Sequence, residues 1–351
     1  MNRKRLPFHD WMKAVGMAFI VWGHVAAATT PALSPPFNLK QLGVAFFVFL
    51  VGHSLAREQR SPMHVVFNRY FEVFVWGLTG AVLWSVVMLF LIGDANPSNF
   101  LPLAGGLQLI DDAFPANPTT WYIGTYLHLL LLWAVLLRGR TIAPRTILLW
   151  LPFEIGIRAA AMLLFGLYVG YMQLANWIGV LLLGLCFGAR GILAPPRRAI
   201  WPALAVVIGW PILMGRLDWE LLTFPWMSIA GQSPMANAIQ VSILISVAYL
   251  LYTLAGFALL AGLPAARAVD FLSRNTLIVF IAHMPLYYVL DHLLRTRVPY
   301  SPRVIIEFVP CYVGLSLVSE ALRRLADLQP RRDRLFAWLR PLPAGKGEPT
   351  W

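Results

Sequence analysis

Long apolar runs alternate with short polar stretches along almost the whole chain. A helix needs about 17–25 mostly apolar residues to cross roughly 30 Å of hydrocarbon. Ten runs approach or reach that length: 11–28, 41–56, 71–92, 121–137, 146–165, 173–189, 199–215, 236–262, 275–293 and 302–322. The second is short for a span, and the fifth and sixth are parted only by residues 166–172. The pattern predicts an all-α fold, a polytopic transmembrane helix bundle of about ten spans. No small-residue cleavage site follows the first run, so it reads as a retained span rather than a signal peptide.

Composition supports the membrane assignment. Of the 351 residues, 59% are hydrophobic and 13% charged, whereas soluble domains are roughly 25% charged. The formal charge of +12 would suggest nucleic-acid binding in a soluble protein. Here its distribution argues for a lipid bilayer as partner and against nucleic acid. With ten spans and a cytoplasmic N-terminus, every inner segment is basic: Arg3 to Arg5, Arg57 to Arg69, Arg138 to Arg145, Arg190 to Arg198, Arg267 to Arg274, and the tail. The outer segments carry Asp94, Asp111, Asp112, Asp218, Glu220 and Asp291. Positive charge on cytoplasmic loops therefore predicts that both termini are cytoplasmic. Residues 1–325 then form a membrane domain and 326–351 a basic cytoplasmic tail.

Other features add less. Most of the Trp and Tyr residues at run ends suit an interfacial belt. Cys186 and Cys311 lie in apolar runs and offer neither a disulfide framework nor metal spacing. His-Glu-x-x-His and Gly-x-Ser-x-Gly are absent, so neither a metal site nor a serine elbow is expected. No internal repeat supports an inverted-repeat transporter. The stretch 93–120 is rich in turn residues and suits either a lid or a solvated loop. Glu154 and Arg158, four residues apart, predict a buried ion pair on one helix face.

The first run holds the sharpest chemistry. Asp10, Lys13 and His24 all fall on or beside it. Lys13 and His24 are 11 residues apart, close to three helical turns, so they share a face about 16 Å apart along the axis. Asp10 lies on a neighbouring line and can pair with Lys13 at the helix start. Ionisable groups on one stripe inside a membrane point into a common interior, and that placement is functional by default.

The stretch Asp10-Trp11-Met12-Lys13, ten residues, then His24 resembles the first-helix signature of the acyltransferase type 3 family of integral membrane acyltransferases, its fucose O-acetylase-like branch in particular. Residues 43–58 look like that family's Phe-rich second helix, 119–133 like its Trp-led helix, and 277–288 like the late helix carrying His-x-Pro. The family often has Arg where Lys13 stands, and Val51 replaces the second-helix Ser. The resemblance implies a ten-helix membrane domain in the bacterial inner membrane. It also implies transfer of an acyl group, commonly acetyl, from acyl-CoA (acetyl-CoA as co-substrate) to a hydroxyl of a saccharide or envelope glycan.

On that reading His24 is the general base, with His128 or His283 beside it. Asp10, Lys13, Arg57, Arg69 and Tyr70 hold the CoA headgroup. Trp121, Asp111 and Asp112 bind the acceptor. A transporter or flippase of a lipid-linked or small envelope molecule is the alternative that intramembrane charges also suit.

Overall fold

The computed structural model describes residues 6–27, 40–111, 115–205 and 233–339. Among these, helices and turns account for the fold, with no strand. The main helices are α1 (Pro7–Ala27), α2 (Lys40–Leu55), α3 (Pro62–Ile92) and α4 (Trp121–Leu137, its last turn a π-helix). There follow α5 (Pro144–Phe165), α6 (Ile178–Ala189), α7 (Pro234–Leu260), α8 (Arg267–Arg274) and α9 (Thr276–Leu294). The last are α10 (Tyr300–Leu325, with a π-turn at Pro310–Gly314) and α11 (Gln329–Leu339). Five of these, α3, α5, α7, α9 and α10, are long and apolar enough to cross a membrane. α2, α4 and α6 are shorter apolar helices, and most of the run 199–215 lies outside the described residues.

Glycines bring three helices into backbone contact. A Cβ on Gly43 of α2 would collide with Gly16 O of α1, and one on Gly184 of α6 with Phe49 O of α2. With no solvent to drive helices together in lipid, such close approach is how apolar helices gain packing energy. α2 is thus fixed between α1 and α6, and its apolar surface is mostly buried.

The described parts of the stretch 93–120, residues 93–111 and 115–120, do not form a solvated loop. Leu103 reaches Gly77, halfway along α3, and Gly106 packs on Gly124 of α4. Asn99, Asn117, Thr119 and Thr120 are buried. A segment of irregular backbone survives inside a helical bundle only when protein groups satisfy it. Here Asn117 N donates to Asn99 Oδ1 at 2.6 Å, and Thr119 Oγ1 to Asn117 Oδ1 at 2.8 Å. Asn117 Nδ2 donates to Ile281 O at 3.0 Å. That carbonyl is available because Pro285, four residues on, has no N–H to give it. The segment therefore re-enters the bundle, and α4 starts halfway through it.

A charged network ties α5 to α6 and α7, as the spacing of Glu154 and Arg158 predicts. Arg158, wholly buried, donates to Glu154 Oε1 at 2.5 Å, Ser242 O at 2.6 Å and Ser246 Oγ at 2.8 Å. Glu154 Oε2 accepts from Gly179 N at 2.7 Å.

Substitutions test these contacts. Gly184→Ile should destabilise the protein by about 3 kcal/mol or more, because backbone sits where the side chain would go. Gly156→Ala, where a Cβ meets open space, should be neutral or slightly stabilising in the same thermal unfolding series. Asn117→Ala should cost about 1–3 kcal/mol by orphaning a buried carbonyl. That cost should shrink in a Pro285→Ala background, where the helix supplies its own donor; additive costs would refute the link.

Candidate active site

A cavity of about 410 Å³ runs between α1, α2, α3, α4 and α9. From α1 it takes His9, Lys13, Met17 and Ile20, which recur every three to four residues and form one stripe. His24 continues that stripe one turn beyond Ile20. From α9 the cavity takes Thr276, Leu277 and Phe280, and His283 stands three residues further on. His24 and His283 meet just past this roof: Nδ1 of His24 lies 2.9 Å from Nε2 of His283, with the rings stacked at 27°.

The direction of that hydrogen bond can be worked out. His283 Nδ1 lies 2.9 Å from Val279 O. A carbonyl only accepts, so Nδ1 of His283 carries the proton. With both rings neutral, His283 Nε2 is then an acceptor, and His24 Nδ1 donates to it. This leaves Nε2 of His24 with an unshared pair, the state a general base needs.

Cationic groups lie in the other part of the cavity. Lys13 lines it, as does Arg69, whose Nη1 donates to Ser54 Oγ at 3.0 Å. Asp10 accepts from Ser273 Oγ at 2.7 Å, joining the start of α1 to α8. Arg57 donates through Nε to Gly188 O at 2.9 Å and so links the ends of α2 and α6. Tyr70 packs on Phe74 with ring centroids 5.9 Å apart and is not among the residues that line the cavity. Arg60 gives Nε and Nη2 to Glu58 at 2.9 and 2.7 Å. These hydrogen bonds hold the Glu58 carboxyl down to about 2, so Arg60 is committed to its neighbour rather than to the cavity.

His9 escaped the sequence reading. It lines the cavity one turn before Lys13, and its Nε2 lies 3.1 Å from Nδ1 of His53. The i, i+4 spacing to Lys13 was the available signal. The aromatic wall of Tyr122, Tyr126 and Phe280 was hidden among belt-like residues.

Two expectations need correction. His128 does not join the His24–His283 pair; its Nε2 lies 2.7 Å from Gly105 O of the re-entrant segment. Ile123 of α4 abuts Gly77 of α3, and Ile281 of α9 abuts Gly80. From those levels α4 and α9 run in opposite directions, which separates His128 from His283 by about 15 Å along the bundle. Trp121 is likewise no outer-mouth platform. It is 5% exposed and packs against Trp177, Tyr171 and Tyr122 at centroid distances of 6.0, 4.8 and 5.6 Å. Both errors arise because α4 begins inside the bundle. Asp111 ends the short helix Gln108–Asp111, and Asp112 lies outside the described residues.

An all-helical bundle with several candidate membrane spans, a deep cavity lined by cations at one part and a histidine pair beyond the other, defines a multi-pass membrane protein built for chemistry inside the bundle. Residues 6–322 match the family model for the acyltransferase type 3 group, described as an acyltransferase domain, and the chain belongs to that family. It is a membrane acyltransferase. No curated relative and no solved structure matches it.

Trp121→Ala should cost about 3–5 kcal/mol in thermal unfolding, as for any large buried aromatic, while the folded fraction keeps its affinity for acceptor. A stable variant with weakened acceptor binding would restore the platform reading.

Proposed function

We propose that this acyltransferase moves an acetyl group from cytoplasmic acetyl-CoA to a hydroxyl of a saccharide or envelope glycan, as in the fucose O-acetylase-like branch of its family. One observation carries the reading: the cavity follows a single stripe of α1 from His9 and Lys13 to within one turn of the His24–His283 pair. A CoA phosphate suits Lys13 and Arg69, and a thioester arm suits the apolar lining between them and the imidazoles. The end of the bundle where α1 begins is the cytoplasmic one on this reading. Arg57, Arg138, Arg140, Arg274, Arg323 and Arg324 gather there, in keeping with positive charge on cytoplasmic loops. The membrane is the bacterial inner membrane.

The step is balanced within the two substrates. The acceptor O–H proton passes to His24 Nε2 as the oxygen attacks the thioester carbonyl carbon. The new C–O bond forms and the C–S bond breaks. His24 then returns the proton to the departing CoA sulfur, so the products are an ester and free CoA thiol. His283 touches neither substrate in this scheme. It is a positioning residue that holds His24 in the tautomer with Nε2 unprotonated. Lys13 supplies a point charge to a phosphate rather than the bidentate fork an Arg would give.

The test compares variants of the purified protein in lipid nanodiscs, following CoA release from acetyl-CoA. His24→Ala should abolish transfer and leave acetyl-CoA binding intact. His283→Ala should lower kcat by about 10²-fold or more, within the range for mispositioned proton transfer, with KM for acetyl-CoA unchanged. Turnover retained in His24→Ala would remove His24 as the base. Unaltered kcat in His283→Ala would remove its positioning role.

A further inference from the structure

α1 and α2 run antiparallel, and a set of contacts fixes their register. His9 approaches His53 to 3.1 Å, the rings of Phe19 and Phe46 lie 6.2 Å apart, and Gly43 abuts both Gly16 and Ile20. Carried one turn past Ile20 and Gly43, that register brings His24 of α1 level with Lys40 of α2, within about 3 Å along the bundle.

Lys40 also faces the right way. Val44, Phe47, Val51 and Ser54 of α2 line the cavity beside Lys13, and steps of three or four residues make them one stripe. Lys40 is the first residue of that helix and stands on the same stripe, one turn beyond Val44. His24 extends the α1 stripe one turn beyond Ile20, toward the same end. The two residues therefore stand past one end of the cavity, on facing walls. The Lys40 ammonium is close enough for its charge to act on the His24 imidazole. Both residues are half-buried, so neither is sealed from a ligand.

Helix stability does not account for a lysine here. The first turn of a helix is its positive end, where a cation is disfavoured. With the N-terminus cytoplasmic, Lys40 also falls toward the outer side, where basic residues are fewer. A cation kept in such a place, turned to the bundle interior beside another ionisable group, points to function.

Acyl transfer needs a positive group at this point. The thioester carbonyl oxygen gains an electron pair when the acceptor attacks, and a fixed donor must meet that charge. We propose that Lys40 is a further catalytic residue, whose ammonium donates a hydrogen bond to the thioester carbonyl oxygen as that oxygen becomes negative. This role rests on the acyl-transfer reading above. The acceptor oxygen bonds to the carbonyl carbon, its proton passes to His24, and the carbonyl π pair moves onto the oxygen beside Lys40. The pair then returns, the C–S bond breaks, and the CoA sulfur takes the proton from His24. Lys40 keeps its own proton throughout. The imidazolium formed midway would repel the ammonium, and an oxyanion between them turns that repulsion into two attractions.

Isotope-edited infrared difference spectra test this without a known acceptor. The full-length protein in nanodiscs is loaded with acetyl-CoA, with and without a heavy-carbon label at the carbonyl. A cation at the oxygen weakens the C=O bond, so the carbonyl band should move to lower frequency on binding to wild type. Lys40→Met should lose most of that shift, with acetyl-CoA affinity unchanged by calorimetry. Lys40→Arg, which keeps the charge, should retain part of it. An unshifted band in wild type, or one band position shared by wild type and Lys40→Met, overturns the proposal. Equal loss of the shift in Lys40→Met and Lys40→Arg marks an effect of shape rather than charge and overturns it too. Failure of wild type to bind acetyl-CoA would sink the donor reading and this role together, whereas binding with an unresponsive band sinks the Lys40 role alone.

Discussion

A charge or polar group held among apolar helices needs a partner inside the protein, because lipid offers none. That constraint divides the ionisable residues of this chain into two kinds. Glu154 and Arg158 meet it largely through each other, two serines and backbone groups on neighbouring helices. They bind α5, α6 and α7 together and leave little capacity for a substrate. His9, Lys13 and Arg69 instead line a cavity. Polar side chains placed on the wall of a cavity that a ligand can fill mark a site.

Much of this division could be read from residue spacing. The 11-residue interval from Lys13 to His24 set both on one face of α1, and the cavity follows that face. The i, i+4 interval between Glu154 and Arg158 gave the buried pair. What spacing could not supply is contact between distant segments. His24 and His283 are 259 residues apart in sequence, and nothing local to either announces the other. The partner of His24 was narrowed to two imidazoles, and only the packing of α1 on α9 separates them.

The re-entrant segment explains the errors that remained. Hydropathy reports how apolar a run is, not where it starts relative to its neighbours. The apolar run 121–137 coincides with the bounds of α4, yet hydropathy alone sets its start at the outer surface. Because the segment before them folds back into the bundle, that start is internal. Trp121 therefore belongs to the core with Trp177 and Tyr249, and His128 lies nearer the other end. The buried asparagines and threonines of that segment were the available sign, since a solvated loop has no need of so many backbone-capping side chains.

Residues 283–285 of α9 show how chemistry and architecture share one short motif. His283 turns its Nδ1 to Val279 O one turn back, and that bond orients the pair with His24. Pro285, two residues later, withholds an N–H from Ile281 O, and Asn117 takes the vacancy. The helix thus gives up one internal hydrogen bond and gains an anchor for the segment that closes over it. Without the proline, Ile281 O would be satisfied within α9, and Asn117 would lose its reason to enter the bundle. The segment would then be held less firmly against α9, beside the turn that carries His283. The proline secures the surroundings in which the histidine works, which is a physical reason for the two to occur together.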